Sequence, residues 1–288
     1  MKDFAIEQQQ YKTYILSDQT TGSLLEVVPE RGGIITRWAS GGQDILYLDA
    51  ERFANPSLSV RGGIPILFPI CGNLPNNTYN SGGKQYTLTQ HGFARDLPWE
   101  VSDGATQDSL SLTLVLNSND QTRAVYPFEF QLAFTYSLAG NNLNIQQRYT
   151  NHSKEPMPFS TGLHPYFLST DKTQLEFDIP ASQYLDQIAK TTHHFTGRFD
   201  FDADEIDVAF AKLTSQQASV TDVSRGIQLT LSYDEAYKAV VFWTVKGKPY
   251  YCLEPWSATR NALNTGENLI HLDPGASIET LVRLTVNF

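Results

Sequence analysis

The chain has 288 residues, of which 41% are hydrophobic and 18% are charged, and its formal net charge at pH 7 is -10. This composition is ordinary for a folded protein with a sizeable core, and it excludes a largely disordered chain. The acidic balance argues against nucleic acid and anionic membrane surfaces as partners, because both require a basic surface.

Predicted strands follow one another along the chain, because apolar side chains recur at every second position. The clearest alternation is at 128–138, where large apolar residues alternate with small or polar ones. A strand with one buried face has this pattern. In chain order, the predicted strands are 11–16, 23–28, 45–49, 110–116, 128–138, 143–149, 175–179, 227–233, 239–245 and 278–286.

Turn signals such as Gly41-Gly42, Gly140-Asn141 and Pro274-Gly275 separate these strands. No long window keeps a helical period without an interruption by Gly or Pro, which disfavours βαβ units and a parallel sheet. We therefore predict an all-β fold, namely one large antiparallel β-sandwich with few short helices. It should form a single domain over residues 1–288. Residues 182–207 are predicted to be a long loop.

Cysteine content and the amino-terminal segment indicate the compartment. Cys71 and Cys252 are too few for a disulfide framework at this length, so we expect free thiols and a reducing environment. The first residues lack an apolar signal core, and no segment has the roughly 20 apolar residues that a membrane span requires. The expectation is a cytoplasmic protein without a membrane partner.

Residue types suited to catalysis gather in four segments. They are RGGIPILFP from Arg61, QHGFAR from Gln90, TGLHPYF from Thr161 and YCLEPW from Tyr251. A lone histidine beside Gly or Pro is more often a turn or core residue, so neither His91 nor His164 alone indicates catalysis. Glu254 follows an apolar, strand-like run. An ionised carboxylate is costly there without a partner, which favours a functional role.

Arg61 and Arg95 are the cations of these segments. Single arginines in loops most often bind carbonyl or carboxylate groups of the protein itself. Glycines adjoin both arginines, and we expect the backbone N–H groups of Gly62-Gly63 and Gly92 to be free to bind an anion or a sugar hydroxyl beside them. Aromatic residues in the same segments are either plain core or faces for the apolar side of a pyranose: Phe68, Phe93, Tyr166 and Trp256.

In this order, the motifs resemble the aldose 1-epimerase or galactose mutarotase superfamily. The resembling strings are RGGIPILFP, QHGFARDLPWEV, YPFEFQL, GLHPYF and LEPW, which together span Arg61 to Trp256. Any one of them is a weak signal, whereas all of them in order are a strong one. The resemblance implies a galactose mutarotase-like supersandwich with a sugar bound in an open cleft on one sheet.

The resemblance also implies roles for single residues. The general acid of the family corresponds to His164 in GLHPYF, and the general base corresponds to Glu254 in LEPW. A second, substrate-binding histidine corresponds to His91. The binding aspartate of the family lies in a segment without a clear motif. Asp207 is the choice by position, and the alternatives are Asp202, Asp204 and Asp222.

The implied activity is mutarotation, an isomerase reaction on carbohydrates. Interconverting α and β anomers requires removal of the C1 hydroxyl proton and delivery of a proton to the ring oxygen, which a carboxylate and a histidine can do near neutral pH. We expect Glu254 to be ionised and His164 to be protonated at the start. The reaction needs no cofactor and no metal. The expected partner is a small-molecule sugar or sugar phosphate, and the protein should be a monomer or a weak homodimer.

The substrate is left open between two branches. RGGIP followed by HGFAR resembles the hexose-6-phosphate mutarotase branch, in which arginines at such positions, here Arg61 and Arg95, bind the phosphate. Segment 71–77 departs from that branch. The chain also lacks the Asn-Arg pair common in galactose-type members, so neither branch is favoured on every motif.

Three other functions compete with mutarotation. A glycosidase would place two carboxyl groups about 5–5.5 Å or about 6.5–9.5 Å apart, whereas this pattern pairs one histidine with one glutamate. His91, His164 and Glu254 also have the composition of a facial-triad metal site, although the chain has no close His-x-His pair. A non-catalytic carbohydrate-binding or sugar-sensing protein on the same fold would have no need for both His164 and Glu254.

Overall fold

Strands dominate the computed structural model, which describes residues 1–103 and 110–288. In this part of the chain the strands are β1 (Lys2–Gln8), β2 (Lys12–Asp18), β3 (Ser23–Val28), β4 (Ile34–Ser40), β5 (Gln43–Asp44), β6 (Ile66–Leu67), β7 (Thr78–Ser81), β8 (Lys84–Thr87), β9 (Glu100–Asp103), β10 (Ser111–Asn117), β11 (Phe130–Ala139), β12 (Asn142–Asn151), β13 (Met157–Phe159), β14 (Gly162–Leu163), β15 (Tyr166–Leu168), β16 (Leu175–Asp178), β17 (Gln183–Asp186), β18 (Thr191–His194), β19 (Glu205–Phe210), β20 (Gln217–Asp222), β21 (Ile227–Tyr233), β22 (Ala239–Val245), β23 (Tyr250–Trp256), β24 (Ile270–Leu272) and β25 (Ser277–Asn287). The helices are short: α1 (Ala50–Ala54), α2 (Asp120–Val125) and α3 (Ala262–Thr265), with 3-10 turns at Pro29–Arg31, Pro75–Asn77, Ala94–Asp96 and Lys172–Gln174. None of the helices in the described residues has the length and apolarity needed to cross a membrane.

Most of these strands belong to three large antiparallel sheets. Their strand orders are β1-β2-β3-β4-β5, then β16-β20-β21-β25-β12-β11-β10-β9, and then β18-β17-β19-β22-β23-β14-β6, with β15 also paired to β23. We call the last of these the cleft sheet. Its strand β23 pairs with β14 and β15, which lie far away in sequence, so this sheet brings distant segments together. The predicted all-β sandwich with few short helices is confirmed.

Several predicted strands have the observed bounds, because alternation is a local property of the chain. β3, β21 and β22 begin and end at the predicted residues. The predicted strand 128–138 begins two residues later, at Phe130. The reason is local: the Phe128 N–H donates to the Tyr126 carbonyl at 2.8 Å, which forms a turn instead of continuing the ladder.

Two predictions of local structure are wrong. Residues 45–49 form isolated bridges in place of a strand, and Asp49 caps α1 by accepting from the Arg52 N–H at 3.0 Å. The predicted loop 182–207 contains β17, β18 and the start of β19. β18 is exposed along its whole length. It therefore has no apolar face whose alternation could have revealed it.

The core lies between the sheets, and alternate strand residues fill it. On β11, Phe130, Leu132 and Phe134 are at most 1% exposed. The ring of Phe68 packs against Phe130 and against Tyr149 of β12, with centroids 5.1 and 6.1 Å away. The sheet that contains β11 and β12 and the segment that follows β6 therefore share one core.

The cleft sheet separates core residues from site residues by alternation. Val208 on β19, Phe242 on β22 and Leu253 on β23 belong to the core. Because successive side chains of a strand point to opposite faces, the residues beside them point away from the core: Asp207, Trp243 and Glu254. The candidate site lies on this second face.

Candidate active site

Strand register places His164 against Glu254. β14 and β15 both pair antiparallel with β23, and His164 lies in the short break between them. Both pairings continue one register, which sets His164 opposite Glu254. His164 Nε2 lies 3.3 Å from Glu254 Oε1, and the two residues are 7% and 1% exposed. The two residues predicted as acid and base therefore form a buried contact pair.

Aromatic residues fix both members of the pair. Trp256 Nε1 donates to Glu254 Oε2 at 3.0 Å. The Tyr166 ring stacks on the His164 ring, with centroids 4.8 Å apart and an interplanar angle of 13°. Glu254 thus uses one oxygen for its structural hydrogen bond and presents the other to His164.

His91 is held with a defined orientation. The backbone N–H of Gly72 donates to the ring nitrogen His91 Nδ1 at 3.1 Å, and the backbone N–H of His91 donates to the Gly72 carbonyl at 2.7 Å. Burial lowers the pKa of His91 well below its usual range, which favours the neutral ring. Because Nδ1 accepts, the proton of that ring is on Nε2. The backbone φ of 67° is uncommon for a residue with a side chain and is typical of functional sites.

Asp207 extends from β19 and is bound through both oxygens. Gln187 Nε2 donates to Oδ1, and Arg260 Nη2 donates to Oδ2, each at 2.7 Å. Asp207 lines the same cleft as the histidines and Glu254, whereas the three alternatives do not line it: Asp202, Asp204 and Asp222. Asp207, the aspartate chosen from the sequence, is thus the one of the four that lines the cleft.

The two predicted arginines lack close carboxylate partners. The Arg61 guanidinium lies 5.0 Å from the Trp243 ring centroid. Arg95 Nη2 donates to the Gln90 carbonyl at 2.9 Å, while Arg95 Nε is buried without a partner and 3.9 Å from Asp96 Oδ2. Among the described residues, no carboxylate oxygen lies within 4.0 Å of the Arg61 guanidinium. Both guanidinium groups can therefore accept an anion.

One cleft of about 210 Å³ contains all six predicted site residues: Arg61, His91, Arg95, His164, Asp207 and Glu254. Tyr166 and Trp256 line it as well, whereas Phe68 and Phe93 belong to the core or pack against it. The cleft is smaller than the roughly 300–1,000 Å³ of pockets for drug-sized ligands. A single sugar ring suits this size.

Gly63 and Gly92 do not offer the free N–H groups that we expected beside the arginines. The Gly63 N–H donates to the Tyr47 carbonyl at 2.8 Å, and the Gly92 N–H donates to the Thr89 carbonyl at 2.9 Å. Gly92 instead permits close backbone approach, since a Cβ there would lie 2.2 Å from the Phe68 carbonyl oxygen. Anion binding beside Gly63 and Gly92 therefore depends on the arginine side chains.

Burial dominates the electrostatics of the contact pair. It raises the pKa of Glu254 well above its usual range, although the hydrogen bond from Trp256 opposes this. Burial lowers the pKa of His164 well below its usual range, and the positive charges of Arg95 and Arg61 lower it further. These directions favour a neutral carboxylic acid and a neutral imidazole. They are opposite to the expectation of an ionised Glu254 and a protonated His164 at the start.

One group of possible metal ligands consists of the pair itself and Cys252, and it differs from the alternative triad of His91, His164 and Glu254. In the described residues, ligand atoms of His164, Cys252 and Glu254 lie within 4.8 Å of one another. Burial raises the pKa of the Cys252 thiol well above its usual value, which opposes the thiolate form that a metal requires. Both cysteines are free thiols, as expected. The protonation of this cluster favours hydrogen bonding over metal ligation.

The family model described as aldose 1-epimerase matches residues 15–285. The chain belongs to this family. It is 47% identical to the Slr1438 protein from Synechocystis sp. PCC 6803, whose structure matches with a TM-score of 0.95 over 100% of this chain and 99% of that chain. It is 26% identical to a Cenchrus ciliaris protein named "Putative glucose-6-phosphate 1-epimerase" over 75% of this chain and 67% of that protein. A galactose mutarotase-like protein from Clostridium acetobutylicum has the same fold, with a TM-score of 0.83 at 20% identity over 99% and 98% of the two chains.

Family membership confirms the superfamily that the motifs indicated, and the structural match confirms the galactose mutarotase-like fold. Family membership also supports the function of a carbohydrate epimerase of the mutarotase type, which acts on a sugar. The resemblance to the hexose-6-phosphate branch agrees with the name of the Cenchrus ciliaris relative.

This aldose 1-epimerase family member also has cleft residues that the motifs did not indicate. Glu205, Trp243 and Arg260 line the cleft, and Gln187 holds Asp207. Arg260 stands four residues after the LEPW motif, so its proximity in sequence was a usable signal. Gln187 fell inside the predicted loop 182–207, where no pattern distinguished it.

Proposed function

We propose that the protein interconverts the α and β anomers of hexose 6-phosphates and acts as a single domain over residues 1–288. One observation carries the proposal. The His164–Glu254 pair shares a small cleft with Arg61 and Arg95, which lack close carboxylate partners. The pair suits proton exchange at the anomeric centre, and the arginines suit a phosphate.

The reaction consists of two proton transfers. Glu254, as a carboxylate, takes the C1 hydroxyl proton while His164, as an imidazolium, gives its proton to the ring oxygen and the bond from C1 to that oxygen breaks. The two oxygens are bonded to the same carbon, so an acid and a base whose atoms are 3.3 Å apart can reach both. Rotation about C1–C2 then exposes the other face of the aldehyde. The reverse transfers close the ring as the other anomer, with the proton of Glu254 returning to the C1 oxygen.

Burial of the pair opposes the charged forms with which ring opening starts. The reactive closed-ring complex contains an ionised Glu254 and a protonated His164, whereas the open-chain complex contains both groups in their neutral forms. Because burial favours the neutral forms of both groups, forming the ion pair from the neutral pair costs free energy, and ring opening then returns both groups to their favoured forms. The reaction therefore begins with transfer of the Glu254 proton to His164 across their 3.3 Å contact.

A phosphate would make the starting ion pair easier to reach. Arg95 and Arg61 add to the lowering of the His164 pKa that burial causes. A phosphate dianion beside these two guanidinium groups would offset their charge, which would raise the pKa of His164. A neutral hexose has no such effect, so the phosphate should favour the protonated acid as well as binding.

His91 and Asp207 orient the ring hydroxyls in this proposal. His91 Nε2 carries a proton and can donate to a hydroxyl oxygen, while Asp207 accepts from hydroxyl groups. The similarity to the Cenchrus ciliaris relative supports the phosphorylated substrate class.

Anomer-exchange NMR tests the proposal with glucose 6-phosphate, glucose and galactose side by side. We expect enzyme-dependent exchange for all three, with the highest kcat/KM for the phosphorylated sugar. Exchange that favours a free hexose would contradict the phosphate preference and retain mutarotation. Saturable sugar binding without any exchange would instead favour the alternative function, a non-catalytic carbohydrate-binding protein.

A further inference from the structure

Arg260 lies outside the sequence motifs, yet it binds three side chains of the cleft region. It follows β23 and precedes α3. Nη2 donates to Asp207 Oδ2 at 2.7 Å, and Nη1 donates to Asn73 Oδ1 at 2.9 Å. Nε donates to Gln187 Oε1. Each nitrogen of the guanidinium therefore has its own side-chain acceptor.

Arg260 also contacts residues that hold His91 and Glu254. The stem of Arg260 packs on Gly72, where a Cβ would lie 2.3 Å from Arg260 Cγ, and Gly72 holds His91 through two hydrogen bonds. The guanidinium carbon also lies 5.9 Å from the ring centroid of Trp256, whose indole N–H binds Glu254. One arginine thus touches the supports of three site residues.

We propose that Arg260 is a positioning residue that keeps Asp207 ionised and aims its two oxygens at neighbouring hydroxyl groups of the sugar, an inference that rests on the proposed function. Gln187 and Arg260 each bind one oxygen of Asp207, and each carboxylate oxygen has two acceptor sites. One site on each oxygen is left for a substrate hydroxyl. Because both oxygens are held, the carboxylate cannot rotate away from that arrangement.

The ionisation of Asp207 depends on Arg260 because burial opposes it. Burial raises the pKa of Asp207, the charge of Arg260 and the hydrogen bond of Gln187 lower it, and Glu205 on the same strand raises it. The other charged or titratable groups of the cleft and of the neighbouring β17–β18 hairpin are Arg61, His91, Arg95, His164, Tyr166, Tyr184, Asp186, Lys190, His193, His194 and Glu254. Without Arg260, the pKa of Asp207 should move up toward neutral pH, and protonated Asp207 accepts fewer hydroxyl donors.

The test is the pH dependence of KM in Arg260→Met and Arg260→Lys. For Arg260→Met, KM should rise about tenfold near pH 6 and return toward the wild-type value near pH 8.5, with kcat changed less than about threefold. Arg260→Lys keeps the charge, so its pH profile should stay close to that of the wild type. A ¹³C NMR titration of the Asp207 carboxyl should give a higher pKa in Arg260→Met without any sugar present.

Arg225→Met is the matched control. Arg225 binds the main-chain carbonyls of Leu168 and Asp44 and does not line the cleft, so its loss should lower Tm without changing the pH profile of KM. A KM that rises equally at every pH in Arg260→Met, or an unchanged Asp207 titration, would overturn the proposal.

If Arg260→Met does not fold, Arg260→Gln removes the charge and keeps donor groups. A wild type without mutarotation would contradict the proposed function, whereas the Asp207 titration would still decide the ionic role of Arg260.

Discussion

The His164–Glu254 pair and the arginine pair share one cleft but are built in opposite ways. His164 and Glu254 are buried and face each other, because β14 and β15 hold one register against β23. Arg61 precedes β6, Arg95 lies in a 3-10 turn, and both lack close carboxylate partners. The members of the first pair contact each other, although His164 Nδ1 is buried without a hydrogen-bond partner, while the second pair has binding capacity left for a ligand.

From this difference we expect separate roles for the two pairs. Groups that exchange protons with the anomeric centre should act on kcat, because their interactions change between the ground state and the transition state. Groups that bind a phosphate remote from C1 should act mainly on KM if they bind both states equally. The predictions below test this separation.

The largest expected effect is on turnover by the acid–base pair. Glu254→Gln and His164→Asn should each lower kcat by about 10²–10⁴-fold, because each removes a positioned base or acid. Exchange NMR at saturating sugar measures the loss, and circular dichroism checks the fold. Glu205→Gln is a matched control, since Glu205 is another cleft carboxylate and accepts from Trp243 Nε1 at 2.7 Å. Near wild-type kcat in either site variant would refute its assigned role.

The next effect separates phosphorylated from free sugars. Arg61→Ala and Arg95→Ala should raise KM for glucose 6-phosphate by about 10- to 100-fold, as expected for loss of a charge-assisted hydrogen bond. KM for glucose should change little. The difference should shrink as salt is added, because salt screens exposed charges. Equal increases for both sugars would mean that the arginines contact a ring hydroxyl or hold their own loops.

A smaller effect concerns stability, and its sign follows from the burial of Glu254. Burial raises the folded-state pKa of Glu254 above its unfolded value, so its stabilising contribution is complete below the unfolded pKa and is lost as pH rises through the folded pKa. Glu254→Gln should match the Tm of the wild type near pH 4 and exceed it by about 2–6 °C near pH 8. Thermal denaturation at both pH values measures this. A less stable variant at pH 8 would show that the His164 contact stabilises ionised Glu254.

The smallest expected effect is that of metal removal. Prolonged dialysis against a strong chelator should leave mutarotation unchanged, because the reaction needs proton transfer alone and the Cys252 thiol is held protonated by burial. Activity lost on chelation and restored by zinc would assign a metal to His164, Cys252 and Glu254. Cys252→Ser would then lower the zinc content.

The sequence determined much of the fold because its information is local. Alternation locates β21, since a half-buried strand shows its buried face at every second residue. The same rule fails for β18, which is exposed and polar along its length. It also assigns a strand to 45–49, where Asp49 instead begins a helix. These errors occur where a strand has no buried face or where a helix cap interrupts the local pattern.

The six candidate site residues were also accessible from sequence, because they lie in short motifs with a known family order. Their meeting in one cleft is a tertiary result, since β23, β14 and β19 come from distant parts of the chain. Tertiary contacts also decide properties that no motif contains. Burial decides the protonation of the pair, Gly72 decides the tautomer of His91, and a neighbouring strand and loop decide what Arg260 binds. Each of these depends on the surroundings of a side chain in space, which the order of residues along the chain does not specify.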